Sequence, residues 1–93
     1  MIHSFSDKRL RRFWLQNRLL GLPPEIHDVL RRKLYVLAMA STLEDLRVPP
    51  SNHLEALKGD LAGYYSIRVN RQWRLIFQWE NNQAKKIALT DYH

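Results

Sequence analysis

Apolar positions recur at helical spacing in the first half of the chain and alternate in the second half. Residues 1–5 alternate weakly and suggest a short first strand. Ser6 then reads as the N-cap of a helix from Asp7 to Leu19, with Leu10, Phe13 and Trp14 on one face and Arg9, Arg11, Arg12 and Arg18 mostly elsewhere. Gly21 suits the stop, because glycine accepts the left-handed conformation in which helices end. Pro23-Pro24 opens a second helix, proline being tolerated in a first turn. Ile26, Val29, Leu30, Leu34 and Leu37 carry that helix to about Ala40. Thr42 and Asp45 have the spacing of a weak capping box over one short helical turn, and Pro49-Pro50-Ser51-Asn52 reads as an irregular connector.

Beyond the connector the period changes. Strands are predicted near His53–Lys58, Tyr64–Val69, Trp73–Glu80 and Ala84–Thr90, broken at Gly59-Asp60 to Gly63, Asn70-Arg71-Gln72 and Asn81-Asn82-Gln83. Two N-terminal helices packed on one face of a small, mainly antiparallel sheet make an α+β domain. With Asn70-Arg71-Gln72 as a three-residue loop, Val69 faces Trp73, Ile67 faces Leu75 and Tyr65 faces Phe77. A loop at Asn81-Asn82-Gln83 then sets Phe77 against Ile87 and Leu75 against Leu89, so one sheet face is continuously apolar. A slip by one residue would place Lys86 opposite Phe77, which disfavours it. The other face pairs Arg68 with Arg74, and Arg74 with Thr90. Opposed like charges cost up to ~1 kcal/mol unless neutralised. Either a bound phosphate neutralises them, or the arginines splay into solvent, and the pattern alone favours the second.

The 93 residues fit one domain, 1–93, with no repeat, low-complexity tract or linker. A hydrophobic content of 45%, with three Trp, four Tyr and three Phe, fills a core and argues against disorder. The net charge of +6 is spread along the chain, with nine basic and five acidic groups in residues 1–47 and six and four in 48–93. A basic domain of this kind often meets a polyanion, although composition alone allows a merely basic protein equally well. There is no cysteine, hence no disulfide framework and no thiolate zinc site. The start Met1-Ile2-His3-Ser4-Phe5-Ser6-Asp7-Lys8 has no signal-peptide core, and no stretch approaches the ~20 apolar residues of a membrane span. A cytoplasmic protein without membrane contact is expected.

No Gly-rich phosphate loop, His-Glu-x-x-His helix or nucleophile elbow is present. His3, His27, His53 and His93 lack metal-ligand spacing, so no metal and no cofactor is expected. His27 reads as a solvated helix residue. The chemistry-bearing cluster lies in the second half: His53, Glu55, Lys58, Arg68, Arg74, Asp91, Tyr92 and His93. RNA needs no metal to be cut, because its own 2′-hydroxyl can attack the adjacent phosphate. The protein must then supply a base, cations for the added phosphate charge, and an acid for the leaving 5′-oxygen. These residue types suit that work. Taken singly, each is more often an ordinary surface residue.

Their order along the chain carries more. Leu54-Glu55-Ala56-Leu57-Lys58-Gly59-Asp60 is followed by Gly63-Tyr64-Tyr65-Ser66-Ile67-Arg68-Val69-Asn70, then by Gln72-Trp73-Arg74-Leu75-Ile76-Phe77, and finally by Asp91-Tyr92-His93. This series, with the Met1-Ile2-His3-Ser4-Phe5 start and the helix pair, resembles the HigB toxins (plasmid-maintenance killer proteins) of the RelE/ParE superfamily over essentially the whole chain. The resemblance implies a microbial RNase fold that enters the ribosomal A site and cuts mRNA there. It also implies a HigA-type helix-turn-helix antitoxin, through which alone the toxin meets operator DNA.

By position, Lys58 and Arg74 resemble the family's phosphate-handling cations, and Asp91, Tyr92 and His93 its C-terminal active-site group. Some members carry a histidine three residues before the Lys of Leu-Lys-Gly. This chain has Glu55 there, with His53 two positions earlier, which leaves the general base open. The expected roles are Arg74 for transition-state charge, Lys58 for phosphate positioning and His93 for proton transfer. Tyr92 stacks on a base or serves as acid, Glu55 is a candidate base, and Asp91 orients a neighbour. Arg68 and His53 are secondary RNA contacts. Alternation places Tyr92 on the sheet face of Arg74. Two other readings share these features: a non-catalytic RNA- or ribosome-binding module, and a ParE-like gyrase-directed toxin.

Overall fold

Asp7, not Ser6, caps the first helix. In the computed structural model, which describes residues 1–91, α1 spans Lys8–Gln16. The Asp7 carboxylate accepts the Arg9 backbone N–H at 3.0 Å and the Arg9 guanidinium at 2.8 Å, and reaches across to the Leu89 N–H at 3.2 Å. The Ser6 hydroxyl is engaged elsewhere, donating to the Lys86 carbonyl. The helix ends at Gln16, earlier than the apolar spacing suggests, because Asn17 takes the left-handed conformation (φ 55°) and its N–H bonds back to Phe13. Gly21 turns the following loop at φ 82°, and its carbonyl accepts from Arg9.

Pro24–Ile26 form a short 3-10 turn that leads into α2, His27–Met39. His27 is not simply solvated: its Nε2 lies 3.2 Å from the Leu22 carbonyl and its ring packs on Phe13. The capping box is real, with Thr42 and Asp45 opening the 3-10 turn Leu43–Arg47.

The sheet contains β1 (Glu55–Ala56), β2 (Tyr64–Arg68), β3 (Trp73–Glu80) and β4 (Gln83–Asp91), antiparallel in the order β1-β2-β3-β4. Residues 53–58 pair over two residues only, since His53 is left-handed (φ 46°) and Gly59–Leu61 coil into a 3-10 turn. The first hairpin has the expected register, Tyr65 opposite Phe77, Ile67 opposite Leu75 and Arg68 opposite Arg74. Asn70 Oδ1 accepts the N–H groups of Gln72 and Trp73, both at 2.8 Å, which closes the three-residue loop.

The second hairpin corrects the sequence reading. Its loop has two residues: Asn81 and Asn82 both have positive φ and Glu80 pairs with Gln83, as in a type I′ turn. That loop alone would give the unfavourable slip. A bulge restores the pattern: Lys86 adopts φ 53°, the register shifts between Gln78 and Ile76, and Leu75 returns opposite Leu89. Residues 1–5 form no strand. They run along β4 through isolated parallel bridges, Ile2–Ala84 and Phe5–Ile87, and so cover an edge that would otherwise be open.

Leu10 and Phe13 of α1 and Leu30, Leu34 and Leu37 of α2 pack on the sheet face formed by Ile67, Leu75, Phe77, Ile87 and Leu89. No helix of the described residues is long and apolar enough to cross a membrane.

Asp7 joins this core to the end of β4. Burial acts to raise its pKa, but hydrogen bonds from Arg9 and Leu89 and the Arg9 charge hold the carboxyl below its ordinary value. Asp7→Ala removes a cap and charge-assisted bonds, an expected loss of about 2–3 kcal/mol. A depressed folded pKa contributes stability that is complete above the unfolded value and disappears as pH falls through the folded one. Thermal midpoints should therefore differ most near neutrality and converge in acid. A gap of constant size down to strong acid would show that the Asp7 charge contributes nothing.

Candidate active site on the open face of the sheet

Alternation along β2 and β3 turns Ser66, Arg68 and Arg74 away from the helices. Arg74 does not splay into solvent. It is only 5% exposed, its Nε donates to Ser66 Oγ at 2.9 Å, and its Nη2 donates to the His53 carbonyl at 2.6 Å. Glu55 Oε1 lies 3.7 Å from the same Nη2. A guanidinium taken out of water costs several kcal/mol unless its donors are satisfied and a counter-charge is near. Both conditions are met, and they also answer the opposed Arg68–Arg74 pair. Glu55 stands opposite Ser66 across the β1–β2 pair, so the strand register itself brings the carboxylate to the arginine.

The His53 carbonyl is aimed by what precedes it. Asn52 is fully buried, and its amide group donates to the Leu46 and Val48 carbonyls at 3.1 and 3.2 Å. Its Oδ1 accepts from the Lys33 ammonium of α2. With the connector clamped this way, left-handed His53 turns its carbonyl toward Arg74. Arg74 is thus held from both sides, by a strand neighbour and by a braced loop.

Above Arg74 lies an open cavity of about 230 Å³ lined by His53, Glu55, Arg68, Asn70, Arg71 and Arg74. Three guanidiniums face one carboxylate. Such a site has cations for a phosphodiester and, in Glu55, a half-exposed carboxylate that can take a proton.

Four of the expected residues therefore come together: His53, Glu55, Arg68 and Arg74. Lys58 does not line this cavity; it is exposed where the chain enters the Gly59–Leu61 turn. Asp91 ends β4 opposite Trp73 and accepts a hydrogen bond from Gln72 at 3.1 Å, one step along the strand from Thr90, which faces Arg74. Its alternation puts it on the face opposite Arg74. Tyr92 and His93 lie outside the described residues. Among the described residues no three His, Cys, Asp or Glu side chains cluster as metal ligands.

Ser66, Asn52 and Arg71 were not singled out by sequence. Ser66 had a signal, since it shares a face with Arg68 and would meet any side chain crossing from β3. Asn52 had none, because a polar residue after Pro-Pro-Ser reads as loop.

Comparison with known proteins fits this geometry. Residues 3–93 match the family model of the HigB-like, RelE-like toxin of type II toxin–antitoxin systems. The chain is 46% identical over 85 residues to Toxin HigB-1 of Vibrio cholerae, covering 90% of each. It is 33% identical over 93 residues to Endoribonuclease HigB of Proteus vulgaris, covering 100% of both. Among solved structures it superposes on YafQ from Escherichia coli strain BL21(DE3) with a TM-score of 0.64 at 17% identity, covering 99% of this chain and 92% of that one. It superposes on the YoeB–YefM complex from Staphylococcus aureus with a TM-score of 0.61 at 22% identity, covering 100% and 98%. At these identities the structural matches establish the fold, and the family match over nearly the whole chain establishes the rest: the chain belongs to the HigB-like toxins of type II toxin–antitoxin systems.

Proposed function

We propose that the chain is a ribosome-dependent endoribonuclease that cuts mRNA in the ribosomal A site and thereby stops translation. The observation that carries this reading is the pinned, buried Arg74 at the floor of a cavity with two further guanidiniums and Glu55. A relative matched over its full length bears the name endoribonuclease. In the reaction proposed, the 2′-oxygen attacks the adjacent phosphorus and the bond to the 5′-oxygen breaks, leaving a 2′,3′-cyclic phosphate and a 5′-hydroxyl. Glu55 takes the 2′-hydroxyl proton, Arg74 and Arg68 stabilise the added charge, and His93 returns a proton to the leaving oxygen. In this reading Lys58 positions a phosphate from outside the cavity, Tyr92 stacks on a base or serves as acid, and Asp91 orients a neighbouring side chain. No step calls for a metal.

An open cavity of this size holds few nucleotides, and in this reading the ribosome supplies the orientation that brings a 2′-oxygen in line with its phosphorus. The antitoxin partner is a HigA-type helix-turn-helix protein, with operator DNA reached through it, and the compartment is the cytoplasm. The test is to incubate the purified chain with one message, naked and in translating ribosomes. Cutting confined to the translated message is expected. Equal cutting of naked RNA would remove the ribosome dependence, and intact message in both would make the chain a binding module.

A further inference from the structure

We propose that the groove between α2 and the Pro49–Ser51 segment is a second nucleotide subsite, which holds the RNA strand next to the cleaved phosphate. The inference rests on the reading of the Arg74 cavity as an RNA-cleaving site and extends it to a surface outside that cavity. Val29, Arg32, Lys33 and Val36 recur at helical spacing on one face of α2 and line a groove of about 470 Å³ with Ser51 and Arg68. Arg68 lines the Arg74 cavity as well. The two hollows therefore share one lining residue, Arg68, and the path runs from the open face of the sheet, round the end of β2, to α2.

The groove's chemistry suits a nucleotide. Half-buried Val29 and Val36 give an apolar floor for a base, and Arg32, Lys33 and Arg68 give a cationic rim for its phosphate. Among the described residues no carboxylate lines it, and none of these three cations forms an ion pair. A row of cations on a helix is usually a solvated face. Lys33 departs from that pattern, because it is drawn in to Asn52, and burial together with the neighbouring Arg32 charge pushes its pKa down. Two crowded cations without a counter-ion are strained electrostatically, and an anion in the groove relieves that strain. An acidic protein segment would also offer anions. RNA is favoured because the groove continues the cleavage cavity, from which a bound strand has to leave.

The test uses a short RNA methylated at every ribose 2′-oxygen, which cannot be cut, and reads its binding by anisotropy across a salt series. Single-stranded RNA releases counterions in proportion to the phosphates neutralised, with a slope of about −0.7 per contact. Arg32→Ser should lower the magnitude of the slope by about 0.7 and weaken binding roughly three- to tenfold, with Arg32→Lys restoring the slope. Ser51→Trp, an exposed position, should block the groove and remove the advantage of a longer RNA over a trinucleotide. Unchanged thermal midpoints would show that both variants are folded.

A wild-type slope and affinity in both variants overturn the subsite, and so does a wild type that fails to bind this RNA at low salt. Loss of antitoxin binding with RNA binding intact overturns it too, assigning the groove to the protein partner. Failure here is separable from failure of the cleavage reading. If Arg74→Ala stops cleavage while the groove variants bind RNA normally, the subsite alone falls. If Arg74→Ala cuts at the full rate, the cavity reading falls with it.

Discussion

Arg74→Ala should lower the rate of message cleavage about a hundredfold or more, as expected when a preorganised cation facing a developing oxyanion is removed, worth ~3 kcal/mol. The structure adds a second consequence. The sequence pattern suggests that losing one of two opposed arginines relieves repulsion, but the buried contacts of Arg74 reverse the sign. Without it, the Ser66 hydroxyl, the His53 carbonyl and Glu55 lose a shared donor. Stability should fall by about 1–3 kcal/mol. Cleavage must therefore be measured where circular dichroism shows the variant folded. Arg74→Lys is the sharper comparison, since it keeps the charge and loses the fork that bridges Ser66 and His53. It should remain far below wild type. Full activity in either variant would remove Arg74 from the mechanism.

Deletion of His93 should abolish toxicity while sparing the fold and the antitoxin complex. Terminal residues are commonly dispensable, so the default outcome is no effect. Against it, β4 is anchored along its length: Ile87 and Leu89 are buried in the core, Leu89 bonds to Asp7, and Asp91 bonds to Gln72. Thr90 faces Arg74, so the last described residues of β4 run beside the strand that carries Arg74. An imidazole titrates near neutrality and can pass a proton during cleavage, typically worth ~10²–10⁴ in rate. The truncated chain should melt within a few degrees of the full one and bind antitoxin, yet permit growth on induction. Growth arrest at the normal rate would show that this residue has no part in the reaction.

Much of the fold was legible because its signals are local or periodic. The core residues of α1 and α2 follow helical spacing, and the apolar face of β2 and β3, and of β4 beyond its bulge, follows alternation. The bulge at Lys86 was not legible, for a physical reason. A two-residue Asn81–Asn82 turn plus one extra residue leaves the same apolar alignment, Leu75 against Leu89, as a three-residue loop without a bulge. The candidate site divides in the same way. Arg68, Arg74 and Glu55 stand in or beside strands, so their grouping follows from register. The brace from Lys33 through Asn52 to His53 spans α2 and an irregular connector, and no periodicity reports such a contact.

The most direct test maps the ends of cellular messages shortly after the chain is induced without its antitoxin. The account predicts new ends confined to translated reading frames, with a 5′-hydroxyl on each downstream fragment, and their absence when Arg74→Ala is induced instead. Growth arrest with every message intact, or fragments that arise equally in untranslated RNA, would contradict it.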